Sequence, residues 1–90
     1  MMTLGDISKN LEKLNNWSLD ANSITREFEF NNFNEVLGFL GKIAELVDKY
    51  EHYPTILISK NQVRTSLTTI GSGLTEKDFN FAKDIDKISA

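Results

Sequence analysis

Two stretches of strict alternation, with one long apolar stripe between them, leave this chain few folds to adopt. In residues 23–30, Ile24, Arg26, Phe28 and Phe30 share one parity, while Thr25, Glu27 and Glu29 take the other. Side chains along a strand point to opposite faces in turn, so this pattern predicts a half-buried strand. Residues 62–69 repeat it, with Val63, Thr65 and Leu67 on one side and Arg64, Ser66 and Thr68 on the other. Between them, Phe33, Val36, Leu37, Leu40, Ile43, Ala44 and Val47 recur at helical spacing. They predict an amphipathic helix running to about residue 49. Asn32 followed by Glu35 is its start signal. Phe39 falls off the stripe and is expected to be exposed or to serve an interface.

The remaining segments fill in around this frame. Leu4, Ile7, Leu11 and Leu14 share a face of a first helix, with Thr3 as its N-cap, Asp6 three residues on and Asn15-Asn16 as its stop. Residues 17–19 read as a short strand and Asp20-Ala21-Asn22 as a turn, which hairpins that strand to the next. Arg26 is the one charge on an apolar face; its stem is expected to lie on the core and its head to pair with a carboxylate. Pro54 opens an extended run through Ile58, Lys60-Asn61 marks a turn, and Gly71-Ser72-Gly73 breaks the last strand. Thr75 caps a final helix with Asp78 at its third position and Phe81, Ala82, Ile85 and Ile88 as its apolar face. The expected fold is α+β in the order αββαββα, a four-stranded antiparallel sheet with helices packed on one face. Residues 1–90 are read as a single domain, because ninety residues divided in two would leave pieces too small to bury a core.

Composition narrows the function. The chain has no cysteine, hence no disulfide, thiolate metal site or thiol nucleophile. The first ten residues are too polar for a signal-peptide core, and no apolar run nears the roughly 20 residues of a membrane span. A cytoplasmic protein without membrane contact is expected. Net charge is −3, and the basic residues are scattered among acids, which argues against direct nucleic-acid binding.

Candidate chemistry gathers at residues 48–54. His52 is the only histidine and lies just past the long helix, with Asp48 four residues earlier. A helix continued through His52 would bring that carboxylate beside the imidazole, a suitable arrangement for a general acid or base. Taken alone, a single histidine near a helix end is more often structural or solvated than functional. One histidine and one carboxylate are too few for zinc, which takes three or four ligands. The Gly71-Ser72-Gly73-Leu74-Thr75 loop opens a helix but lacks the lysine and spacing of a phosphate loop, and it reads as a tight turn with a cap.

Over residues 17–88, the order and spacing resemble the pterin-4a-carbinolamine dehydratase family. The matching pieces are Trp17, Arg26-Glu27-Phe28-Glu29-Phe30, Phe33, Phe39, Ile43-Ala44 and Asp48-Lys49-Tyr50-Glu51-His52-Tyr53-Pro54. Val63, Leu67-Thr68-Thr69, Gly73-Leu74-Thr75-Glu76-Lys77-Asp78, Ala82 and Ile85 follow. The resemblance implies the fold just derived and a reaction, the loss of water from a 4a-hydroxytetrahydropterin to give a quinonoid dihydropterin. It implies acid–base catalysis by His52 and Asp48, with Tyr53, Pro54 and Asp78 binding a pterin substrate or ligand, and no cofactor or metal. It also implies a homodimer or homotetramer. Three positions depart from the family pattern. Tyr53 stands where a second histidine belongs, Lys60 where an aromatic is usual, and Ile70 where a third active-site histidine belongs, in a loop one residue short. Two functional readings follow: a divergent dehydratase of reduced rate, or a non-catalytic protein that self-associates or binds a ligand.

Overall fold

The computed structural model describes residues 2–89. Its elements are α1 (Leu4–Glu12), β1 (Ser18–Asp20), β2 (Ser23–Glu29), α2 (Phe33–Tyr50), β3 (Thr55–Ser59), β4 (Gln62–Leu67) and α3 (Glu76–Ile88), the expected αββαββα order. The strands form one antiparallel sheet in the order β1-β2-β4-β3. Register carries the alternation across the sheet: Ile24 pairs with Leu67, Arg26 with Thr65 and Phe28 with Val63. Ile24, Phe28, Val63, Thr65 and Leu67 are all buried on that face, against Val36, Ile43 and Leu46 of α2 and Phe81, Ala82 and Ile85 of α3. Each such apolar side chain stabilises the fold by about 1.5–3 kcal/mol relative to exposure. The opposite face carries Glu27, Leu57 and Arg64 in one register row, and all three are exposed.

The caps agree with the sequence. Thr3 and Asp6 exchange side-chain-to-backbone bonds of 3.1 Å at the start of α1, and Asn32 accepts from the Glu35 N–H at 2.9 Å. Arg26 meets a carboxylate as its placement required. Its Nη1 donates to Oδ1 of Asp86 at 2.6 Å, and its guanidinium lies 4.3 Å from the centre of the Phe28 ring. Asp86 also accepts from the indole of Trp17 at 2.7 Å and from the Asn15 N–H at 2.9 Å. One carboxylate of α3 therefore ties β2 to the segment that leads into β1.

Two expectations about apolar faces are corrected. Phe39 is 5% exposed, while Phe33 and Leu37, assigned to the core stripe, are 52% and 50% exposed. The helix carries two apolar stripes, and the one that turns inward is Val36, Phe39, Ile43 and Leu46. Phe39 goes in because the end of β2 offers it aromatic partners, with ring centres 4.8 Å from Phe28 and 5.1 Å from Phe30. In α1 no residue is fully buried and Leu4 is 77% exposed. That helix ends at Glu12, so the buried Leu14 enters the core from the following irregular segment rather than from a helical face. No helix among the described residues is long and apolar enough to cross a membrane.

Candidate functional site

The end of α2 decides where His52 goes. The helix stops at Tyr50, and Glu51 takes φ 51° and ψ 46°, the left-handed conformation that commonly terminates helices. The chain then leaves the helix axis and runs through His52 to Pro54 and into β3. The condition for an Asp48–His52 contact, a helix continuing through both, is therefore not met. Asp48 stays on the exposed side of α2, and among the described residues no hydrogen bond or ion pair joins it to His52.

The imidazole is instead carried to α3. His52 Nε2 lies 2.5 Å from Oδ1 of Asp78. Asp78 is fully buried and sits in the first turn of α3, where the positive end of the helix favours an anion. Its second oxygen, Oδ2, accepts from the Thr75 N–H at 2.9 Å, the Thr69 hydroxyl at 2.9 Å and the Thr75 hydroxyl at 3.3 Å. A carboxylate surrounded by donors acts as an acceptor, so Nε2 is the imidazole nitrogen that donates. In the neutral ring, Nδ1 then carries the lone pair and is the atom free to take a proton. The ring meets the buried Phe81 edge-on, with centres 6.1 Å apart, and Phe81 stacks on Tyr50 at 5.3 Å.

Asp78, expected to bind a ligand, is sealed beneath the surface, with His52, Thr69 and Thr75 as its bonded neighbours. Tyr53 directly follows His52 and is 81% exposed; Ile70 directly follows Thr69 and is 98% exposed. Pro54 is half-buried at the entry to β3, and Lys60 lies in the exposed β3–β4 turn at φ 58°. Among the described residues, no group of three histidine, cysteine or acidic side chains gathers as a metal-binding set. A separate shallow groove on the uncovered sheet face is lined by Glu27, Glu29, Leu57, Gln62 and Arg64. It shares no residue with the His52 cluster and contains no histidine.

Sequence reasoning missed Thr69 as a partner of Asp78, because nothing local signals a bond made across the 69–73 loop. The Thr75–Asp78 half was visible as a capping pair.

Comparison with known proteins places these residues among relatives. The sequence profile of the family described as pterin 4 alpha carbinolamine dehydratase matches residues 1–88. A protein of Chloroflexus aurantiacus is 42% identical over 84 residues, covering 92% of this chain and 90% of that protein. One from Picosynechococcus is 39% identical over 88 residues, covering 97% and 96%. Both carry the provisional name pterin-4-alpha-carbinolamine dehydratase. A solved structure titled as a transcriptional coactivator/pterin dehydratase from Brucella melitensis superposes with a TM-score of 0.94 at 29% identity, covering 99% of this chain and 98% of that one.

Proposed function

The chain belongs to the pterin-4a-carbinolamine dehydratase family, and from that membership we propose that it dehydrates a 4a-hydroxytetrahydropterin with His52 as the proton-exchanging group. The observation that carries this reading is the His52–Asp78 pair, a short bond to a buried, fully satisfied carboxylate. The reaction breaks the C4a–O bond, and the hydroxyl leaves as water. It needs one proton delivered to that oxygen and one removed from a ring nitrogen as the quinonoid double bond forms. A single imidazole suffices for this balance. Nδ1 takes the ring-nitrogen proton and passes it to the departing oxygen, while Asp78 stabilises the transient imidazolium through Nε2–H. Acid–base catalysis by one such group contributes about 10²–10⁴-fold. Asp48 has no part in this scheme. Tyr53 and Ile70, on the surface beside the pair, are read as contacts for the flat ring.

The test is stopped-flow dehydration of a 4a-hydroxytetrahydropterin by the wild type and by His52→Ala. Acceleration by the wild type that is lost in the variant supports the proposal, and a wild type no faster than buffer sinks it.

One observation favours a second reading, in which the site binds a ligand without turnover. Tyr53 and Ile70 occupy positions where the resemblance calls for imidazoles, and neither side chain replaces one as a proton-relaying ring. A solved pterin dehydratase-like protein described as a RuBisCO assembly factor in the alpha-carboxysome has the same fold, with a TM-score of 0.69 at 20% identity, over 82% of this chain and 87% of that one. Pterin binding by calorimetry without dehydration would mark this case.

We also propose that the chain self-associates through α2. Phe33, Leu37, Leu40, Ala44 and Val47 follow 4-3-4-3 spacing, the seam pattern of paired helices. Phe33, Leu37 and Ala44 are exposed, while Leu40 and Val47 are partly buried along the edge of the core. Sedimentation of the wild type should exceed the monomer mass, and a strict monomer would overturn this.

A further inference from the structure

Asp78 is held from more than one side, and one of its holders comes from outside its own helix. Thr75 and Asp78 are the cap and third position of α3, so their bond forms as the helix starts. Thr69 belongs to the loop after β4. Its N–H donates to the Gly73 carbonyl at 2.9 Å, and the Gly73 N–H returns to the Thr69 carbonyl at 3.0 Å. Gly71 and Gly73 take φ values of 84° and 70°, left-handed backbone that glycine adopts without penalty and that lets so short a loop close. This closure fixes the Thr69 backbone and aims its hydroxyl at Oδ2 of Asp78, 2.9 Å away.

The aspartate side chain ends in a soft, roughly two-fold torsion, so its carboxylate plane is set by what holds its oxygens. Fixing Oδ2 orients Oδ1, and Oδ1 is the atom that receives His52 Nε2. Thr69 Oγ1 also lies 3.0 Å from Thr75 Oγ1. Removing the Thr69 hydroxyl therefore deletes one donor to the carboxylate and the oxygen that stands beside the Thr75 hydroxyl.

We propose that Thr69 is a positioning residue, whose hydroxyl orients the Asp78 carboxylate so that the His52 proton stays on Nε2. The 69–73 loop is thereby coupled to the imidazole. Its consequence for catalysis rests on the reading of His52 as the proton-exchanging group; the geometric coupling does not.

The chain's single histidine makes the test specific, because every imidazole signal is His52. Thr69→Val removes the hydroxyl at nearly constant volume, and Thr69→Ser retains it. In the wild type, imidazole nitrogen-15 spectra of the neutral ring should show one protonated nitrogen, Nε2, and one bare nitrogen, Nδ1. In Thr69→Val both frequencies should move toward their tautomer-averaged value, and Thr69→Ser should restore them. Dehydration should follow: Thr69→Val lowers kcat about tenfold, near the value of one hydrogen bond to a charged group, with KM little changed and with rescue by serine. A wild-type tautomer pattern in a folded Thr69→Val overturns the proposal. A wild type that fails to dehydrate pterin sinks the enzymatic reading yet leaves the tautomer result decisive for Thr69. Should Thr69→Val not fold, side-chain couplings in the wild type decide. A single χ1 rotamer for Thr69 is expected, and rotamer averaging overturns the assignment.

Discussion

His52 and Asp78 are 26 residues apart in the chain and 2.5 Å apart in the fold, joined Nε2 to Oδ1. The contact exists because Glu51 turns left-handed at the end of α2 and because Asp78 is the third residue of α3, facing inward from its first turn. It puts the only imidazole of the chain on the only fully buried carboxylate among the described residues. That relationship separates two variants that sequence alone treats alike.

Asp78→Asn should lower the dehydration kcat by about 10²–10⁴-fold, because an amide nitrogen in place of Oδ1 or Oδ2 opposes a donor and destabilises the imidazolium. Asp48→Asn should leave kcat within about threefold, since an exposed carboxylate without a bond to the ring carries little coupling. Steady-state kinetics on both variants checks this. Equal losses would restore Asp48 to the site.

Asp86→Asn should destabilise the fold by about 2–4 kcal/mol, less than the loss of a wholly buried pair because both side chains keep some exposure. The side chains of Arg26 and Asp86 are 16% and 9% exposed, so the guanidinium would be left largely unpaired against Phe28. Urea unfolding followed by Trp17 fluorescence reads it directly, since the indole donates to the same carboxylate.

The two faces of α2 should respond differently to truncation. Phe39→Ala should cost about 3–5 kcal/mol by emptying the space between Phe28 and Phe30. Leu37→Ser should change protomer stability by no more than about 0.5 kcal/mol, as exposed positions do, while lowering the sedimenting mass. A large stability loss without a change in mass would assign Leu37 to the core.

Stability should depend on pH through the pair Tyr50 and Asp84, whose hydroxyl and Oδ2 lie 2.5 Å apart. Burial works to raise the Asp84 carboxyl, but the Tyr50 hydroxyl and the Lys49 ammonium together hold it below the ordinary 3.8. A depressed carboxyl favours the folded state above pH 3.8, and that contribution is lost as pH falls through the folded value. Tyr50 moves the other way, pushed above 10.0 first by burial and then by the bond to Asp84 and its charge. Its contribution is full below pH 10.0 and is lost as pH rises through the folded value. Tyr50→Phe should therefore flatten the alkaline limb of a stability profile measured by urea unfolding, and Asp84→Asn the acid limb. A profile unchanged in both variants would remove the pair from the pH response.

Much of the fold was legible from local pattern. The alternations around Phe28 and Val63, the caps at Thr3, Asn32 and Thr75, and the glycine break after Thr69 each act through neighbours a few residues away, where spacing determines geometry. Kinship was legible too, since residues 48–54 and 73–78 keep their order and spacing. The identity of His52 as the one candidate proton-exchanging imidazole came with it.

Tertiary structure decided which of two apolar stripes on α2 turns inward and which carboxylate the imidazole meets. Phe39 is buried because Phe28 and Phe30 stand opposite it, which helical spacing does not encode. Asp78 rather than Asp48 receives His52 because one left-handed residue, Glu51, ends the helix first. Sequence pattern sets the faces each element can present; the partner each face meets is chosen by how the sheet and helices pack, where distant side chains compete for the same buried space.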